Sequence, residues 1–294
     1  MDSISIIITN FNYANFLPKA IESALSQGDG VEVIVVDDGS TDQSRDVLTD
    51  LEKKHDNLCV ILQDNTGPAA ARNRGAKKAA GEWLCFLDAD DVLIEGVFKG
   101  VFKALPDDFQ IDVIVGEYNP STKTSTKLLY PIKEGFKQFI RKKLAMAQGA
   151  YLIKKALFDQ IQFPEHIKGR EDVVFFARVL ACGHCVKSSK QFCELYKHTD
   201  SFRHRMQEHN QNLLIVPEIF NHESLPQPYH RYENEFKSRL CLSFFRDHFK
   251  QGDFKTARSW YYRAIKTDWR RLFQWAYLSK FIRSFFLTAG RIKA

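Results

Sequence analysis

Apolar residues at the start of the chain come in short runs that alternate with stretches of helical spacing. Ile4 to Ile8, with Ser3 and Ser5 at its edge, reads as a buried strand. Phe16, Leu17, Ala20, Ile21, Ala24 and Leu25 then recur as one apolar helix face. Gly28-Asp29-Gly30 breaks that helix. Val31 to Val36 predicts a second strand, running into Asp37-Asp38-Gly39. Ser40, followed three residues on by Gln43, predicts a capping box for a helix carrying Val47, Leu48 and Leu51. Val60 to Leu62 predicts a third strand. Gly67-Pro68 opens an alanine-rich helix that stops at Gly81, with proline at its start and glycine at its end. Trp83 to Leu87 predicts a fourth strand, ending at Asp88-Ala89-Asp90-Asp91.

This order implies an α/β fold, a mostly parallel central sheet with helices on both faces. Ligands of such sheets bind outside the carboxyl ends of the strands. The polar clusters fall at those ends: Thr9 to Asn12, Asp37-Asp38, Asp64 to Gly67, and Asp88 to Asp91. Four strand ends thus converge on one crevice, and three of them carry carboxylates. Beyond residue 110 the pattern is less regular. Ile111 to Val115 predicts a strand, Lys133 to Ala147 a helix, and Glu171 to Cys182 an amphipathic helix. From about Tyr232 onward the chain reads as helical, with Gly252-Asp253 as a turn.

The 294 residues are 44% hydrophobic and 27% charged, a mix that excludes disorder as the main state. No apolar run approaches the ~20 residues of a membrane-spanning helix. The first residues, Met1 to Asn12, lack the basic region of a secretory signal, so the expected location is cytoplasmic. Thiols stay reduced there, and the six cysteines are expected to be structural. Cys182 and Cys185, with His184, Cys193 and His198, form only half of a zinc pattern.

Charge changes the picture at one end. The net charge is +6, yet Arg231 to Ala294 holds fifteen Lys/Arg against five Asp/Glu, a net of +10. The rest therefore carries −4. Phe273, Ala276, Phe281 and Phe285 alternate there with Arg270, Arg271, Lys280 and Arg283. A basic amphipathic helix of this kind lies on anionic membranes, and packing onto the body is the competing reading. No nucleic-acid module accompanies the charge, so no nucleic-acid partner is expected.

Asp88 and Asp90 stand two apart, which on an extended segment points both carboxylates one way. Such an oxygen-rich pair suits Mn²⁺ or Mg²⁺, bridging to substrate phosphates. A loop of solvated aspartates is the alternative. The chain has no G-x-x-x-x-G-K-[ST] loop and no complete dinucleotide fingerprint, which argues against a P-loop ATPase or a plain dehydrogenase.

Four segments in order carry a resemblance: Ile6 to Asn12, Val35 to Asp42, Asn65 to Gly75, and Gly81 to Asp91. Together they resemble the N-terminal half of a glycosyltransferase family 2 enzyme. The likeness continues more faintly through Gly149-Ala150, Gly169 to Asp172, and Tyr196-Lys197-His198. It implies a GT-A, Rossmann-like domain over residues 1–215, with a nucleotide-binding half (1–110) and an acceptor half (111–215). A basic helical region would follow at 216–294. The activity implied is inverting, metal-dependent transfer of a sugar from a nucleotide diphosphate sugar, with UDP as the expected nucleotide because the pocket residues resemble those of UDP users. The acceptor would be a hydroxyl of a glycan or lipid-linked molecule, in surface polysaccharide, capsule or lipopolysaccharide synthesis, with the enzyme peripheral on the inner face of the cytoplasmic membrane.

The resemblance also implies roles. Thr9 and Phe11 line the base pocket, with Phe11 stacking on the base where many relatives have tyrosine. Asp38 accepts from the base, Gly67 and Arg72 lie near the nucleotide, Asp88 touches ribose or metal, and Asp90 holds the metal. Asp172 is the catalytic base, supported by the partial match of Glu171, Asp172, Phe175 and Arg178 to the family pattern. Capping of the helix that follows is its competing role. Apart from the resemblance, His198 and Arg203 lie on a polar stretch, Tyr196 to Arg205, that could fold over the diphosphate, with an exposed loop histidine as the favoured alternative for His198. A sugar nucleotidyltransferase is the alternative enzyme, but Thr9 to Asn15 lacks the glycine- and arginine-rich loop it needs. A catalytically inactive nucleotide-sugar-binding module is the alternative from another class.

Overall fold

Side chains that alternate along a strand build two apolar faces when every position is apolar. In the computed structural model, which describes residues 3–105, 110–118, 129–196 and 211–287, this is what the first strands do. Ile6, Ile8, Val33, Val35, Cys85 and Leu87 fill the core on one side of the sheet. Ile7, Ile34, Val36, Leu84 and Phe86 fill the core on the other.

The elements up to the fourth strand are β1 (Ile4–Asn10), α1 (Leu17–Leu25), β2 (Val31–Asp38), α2 (Ser44–Glu52), β3 (Leu58–Gln63), α3 (Pro68–Lys78) and β4 (Trp83–Asp88). β5 (Val92–Leu93), α4 (Val97–Phe102), β6 (Val113–Glu117), β7 (Leu129–Pro131) and α5 (Gly135–Ile140) follow. Then come β8 (Tyr151–Lys154), α6 (Lys155–Phe158), α7 (Glu171–Cys182), β9 (Cys185–Gln191) and β10 (Cys193–Glu194). Eight strands form one sheet in the order β3-β2-β1-β4-β8-β6-β9-β7. The β3-β2-β1-β4 part is parallel, whereas β8 runs antiparallel to both β4 and β6. β5 and β10 form a separate antiparallel pair.

Two expectations need correction. The Ser40–Gln43 capping box does not form: α2 starts at Ser44, and Ser40 spends its hydroxyl on Asp37. The helix read over Lys133 to Ala147 is only α5, because Glu134 and Lys142 take left-handed backbone angles at its two ends.

The chain divides into two compact units, Met1–Met206 and Gln207–Ala294. The second holds α8 (Ile215–Phe220), α9 (Glu233–Gln251), α10 (Phe254–Thr267) and α11 (Trp275–Arg283). Gly252 turns the chain at φ 79°, and Asp253 caps α10 by accepting from the Thr256 amide. Phe244 then packs edge-on against Trp260, and the buried Ser238 hydroxyl donates to the Ala264 carbonyl. Among the described residues, no helix is long and apolar enough to cross a membrane.

Candidate active site

The register places the expected residues side by side. Thr9 on β1 pairs with Val36 on β2 and with Asp88 on β4. β2 and β4 flank β1, so their axes lie about 10 Å apart, the width of a nucleoside. Phe11, just past β1, is 37% exposed, which leaves its ring open to a ligand.

Asp37 and Asp38 end β2 and do different work. The fully buried Asp37 accepts from Asn10 Nδ2 at 2.7 Å and from the Ser40 amide at 3.1 Å. Asn12, at φ 62°, accepts from the Thr41 amide at 2.7 Å. The loops after β1 and β2 are therefore stitched together before any ligand arrives. Asp38 reaches the other way. Its Oδ1 accepts from Gln63 Nε2 (2.7 Å) and the Thr66 amide (2.8 Å), and its Oδ2 from the Gly67 amide (2.8 Å). Each carboxylate oxygen has two lone pairs, so Oδ2 retains acceptor capacity. Gly67, at φ 98°, then starts α3.

Arg72, on α3, is the hub. Its Nη2 donates to Asp88 Oδ1 at 2.9 Å and its Nη1 to Glu171 Oε1 at 3.0 Å. The guanidinium also lies 5.2 Å from the centre of the Phe163 ring. Burial works against its charge, but Asp88 and Glu171 outweigh it and raise the Arg72 pKa. Arg72 thus ties the end of β4 to the start of α7. Its charge is already engaged by two carboxylates.

Asp172 stands in the first turn of α7, which is anchored by Phe175 stacking on Phe163 at 3.9 Å. Its Oδ1 accepts from the Val173 amide at 2.7 Å. Burial, then the adjacent Glu171 and more weakly Asp88, push its carboxyl up to about 6, against the pull of Arg72 and the Val173 amide. Arg72, bonded to both Asp88 and Glu171, ties the first turn of α7, which carries Asp172, to the β4 end.

Asp88, Asp90 and Asp91 offer oxygens that all lie within 4.8 Å of one another. A set of carboxylate oxygens suits a hard divalent cation. Asp91 is buried and one of its oxygens accepts from the Tyr196 amide, whereas Asp88 and Asp90 are only half-buried, and Asp88 has a second oxygen besides the one that Arg72 holds. Among the described residues, the zinc candidates form no such grouping. Cys185 is buried, with its thiol pushed up to about 12 mainly by burial, and His184 sits beside Asp112 at 2.8 Å.

Sequence reasoning passed over Gln148. The Gly149 amide donates to the Phe86 carbonyl, which sets Gln148 beside the end of β4. Gln148 is 7% exposed, and its Oε1 accepts from the Tyr151 hydroxyl at 3.1 Å. Its Nε2 is buried with no hydrogen-bond partner among the described residues. Asn10, Asp37 and Thr66 stood in the strand-end clusters without a role, and Gln63 lay outside them, because nothing in the sequence shows which side chains bond inward. His198 and Arg203 lie outside the described residues.

A parallel β3-β2-β1-β4 sheet with carboxylates at its ends, faced by an acidic helix start, belongs to the GT-A class of α/β proteins. Solved structures agree on the fold. That of S. aureus TarS 1-349 in complex with UDP-GlcNAc matches at TM-score 0.66 and 20% identity, covering 96% of this chain and 89% of that one. The mannosyltransferase PcManGT of Pyrobaculum calidifontis, with GDP-Man and Mn²⁺, matches at TM-score 0.58 and 15% identity, over 93% and 88%. The profile of Glycosyl transferase family 2 matches residues 5–161, and the chain belongs to that family.

Among curated relatives, the GalNAc(5)-diNAcBac-PP-undecaprenol beta-1,3-glucosyltransferase of Campylobacter jejuni is 32% identical over 179 residues, 58% of each chain. The poly(ribitol-phosphate) beta-glucosyltransferase of Bacillus spizizenii is 30% identical over 181 residues, 58% of this chain and 28% of that one. The chain spans less than two thirds of the length of these relatives.

Proposed function

We propose that this protein is an inverting glycosyltransferase that moves a sugar from a UDP-sugar to a hydroxyl of a glycan or lipid-linked acceptor. The observation that carries the reading is the meeting of Asp88, from β4, with Glu171, from the start of α7, on one guanidinium, with Asp172 next to Glu171 in the same first turn. In this reading Thr9 and Phe11 hold the base, Phe11 by stacking, and Asp38 Oδ2 accepts from its imino N–H. Gly67 keeps the chain close to the nucleotide. Asp88 and Asp90 would hold Mn²⁺ or Mg²⁺, which supplies charge compensation for the leaving diphosphate. The buried Nε2 of Gln148 supplies a donor for a ligand oxygen at the same rim.

Asp172 takes the proton of the acceptor hydroxyl as that oxygen attacks the anomeric carbon. The new carbon–oxygen bond forms as the bond to the diphosphate breaks, and the electron pair leaves with the diphosphate. Attack from the face opposite the leaving group inverts the configuration. Arg72 acts as a positioning residue, fixing Asp88 and Glu171. The relatives named for undecaprenol-linked and poly(ribitol-phosphate) substrates support a role in surface polysaccharide synthesis, and the location that goes with this reading is the inner face of the cytoplasmic membrane.

The test is transfer by Asp172→Asn. Donor binding should persist and transfer should fall by about 10³-fold or more. Wild-type turnover in this variant overturns Asp172 as the base.

A further inference from the structure

The C-terminal unit carries aromatic side chains of two kinds. Some have partners within the unit: Phe281 stacks on Tyr261 at 4.3 Å, and Phe285, though 55% exposed, lies against the Arg258 guanidinium at 4.7 Å. Others have no such place. No residue of α11 is buried, and Ser284, which follows it, is. Trp275, Ile282 and Phe286 are 73%, 46% and 83% exposed, and their spacing of seven and four residues puts them on one stripe. Immediately before α11, Trp269 and Phe273 are 69% and 73% exposed. Exposed apolar groups scattered singly need no explanation, but a run of this density marks an interaction surface.

The charge around the patch has one sign. Residues 255–287 contain eight Lys/Arg and a single acid, Asp268. That acid is already held by Arg270 at 2.7 Å and Arg271 at 3.3 Å. Lys266 and Arg283 are exposed and point their charges to solvent. A second copy of the same face would set cations against cations, which disfavours a two-fold self-contact. An anionic bilayer complements both features at once. Its headgroups meet the Lys/Arg, and its interface takes Trp and Phe. α11 has nine residues, too short to cross, so it would lie in the plane of the interface.

We infer that the Trp269–Phe286 surface is an interfacial anchor for anionic lipid. The inference gives a physical means to the membrane location proposed above, and it is tested without donor or acceptor, so either can fail alone.

The experiment is flotation of the full chain with vesicles of phosphatidylcholine containing about 30% phosphatidylglycerol, against phosphatidylcholine alone. Binding to the anionic vesicles should be at least about tenfold stronger and should weaken in high salt. Trp83 and Trp260 are buried while Trp269 and Trp275 are exposed, so tryptophan emission should shift to the blue on binding. Phe273→Ser/Trp275→Ser should lose about tenfold or more of the binding while keeping the far-ultraviolet dichroism of the parent. Lys280→Gln/Arg283→Gln should lose the preference for phosphatidylglycerol and keep the parent's fold. Absence of flotation with anionic vesicles overturns the inference. So does flotation unchanged in the aromatic variant, or a dimer in sedimentation that this variant converts to monomer without any lipid binding.

Discussion

A single guanidinium joins two carboxylates that come from elements ninety-nine and sixteen residues away in sequence. Arg72 and Glu171 are both buried, so removing the cation strands a buried charge. Arg72→Met should destabilise the protein by about 3 kcal/mol, and Arg72→Met/Glu171→Gln should recover part of the loss, as read by denaturant unfolding. Asp172 gives a prediction of opposite sign. Its carboxyl titrates at about 6 in the folded chain against a reference of 3.8. The native state therefore keeps a proton that the unfolded chain has released, and stability falls as pH rises from about 4 to about 6. Asp172→Asn removes that loss. It should be more stable than the parent at pH 7, by on the order of 1 kcal/mol after allowance for solvent screening, and equal to it near pH 4. As a base facing Glu171, Arg72, Asp88 and Tyr151, the same group predicts a kcat/KM that rises through a pH of about 6. Asp88, Asp90 and Asp172 were readable as candidates because carboxylates at strand ends and helix starts stand out. Arg72's double duty was not readable, since the Glu171 partner lies far along the chain.

Elements follow from spacing wherever one face is apolar, and fail where the backbone angle decides. α3 shows both sides. Proline at its start and the alanines of its core-facing side made it legible, yet the reason for Gly75 appears only in three dimensions. A Cβ there would strike the Ile7 side chain and come within 3.2 Å of Val36 Cγ2. Gly75→Ala should push α3 off β1 and β2 and cost about 2 kcal/mol of stability, measured by chemical denaturation. The same displacement should weaken donor binding, because Gly67 and Arg72 ride on that helix. Gly39 is tight for another reason. It has φ 78°, and an added Cβ would lie 2.7 Å from the Asn65 backbone nitrogen. The short strands β5, β7 and β10 escaped the sequence reading because two or three residues carry no period to detect.

At the scale of the whole molecule, donor and cation should act as one ligand. A UDP-sugar at a hundred times its dissociation constant adds about 2.7 kcal/mol to the unit that binds it. Thermal stabilisation by UDP-sugar should therefore appear with Mn²⁺ or Mg²⁺ and vanish with chelator, and Asp90→Ala should abolish it. Stabilisation unaffected by chelator would reject the cation. The alternation of strands and helices foretold the parallel half of the sheet. It did not foretell the reversal at β8, because strand direction depends on which neighbour a late strand finds. That reversal decides how the pocket can vary. β4 delivers its acids from the end of a strand, whereas the opposing strand enters the rim at its beginning, behind Gln148. Lengthening or shortening the chain between Lys142 and Gln148 would remodel the rim beside the β4 acids, while the loops after β1 and β2 stay where Asn12 and Asp37 tie them.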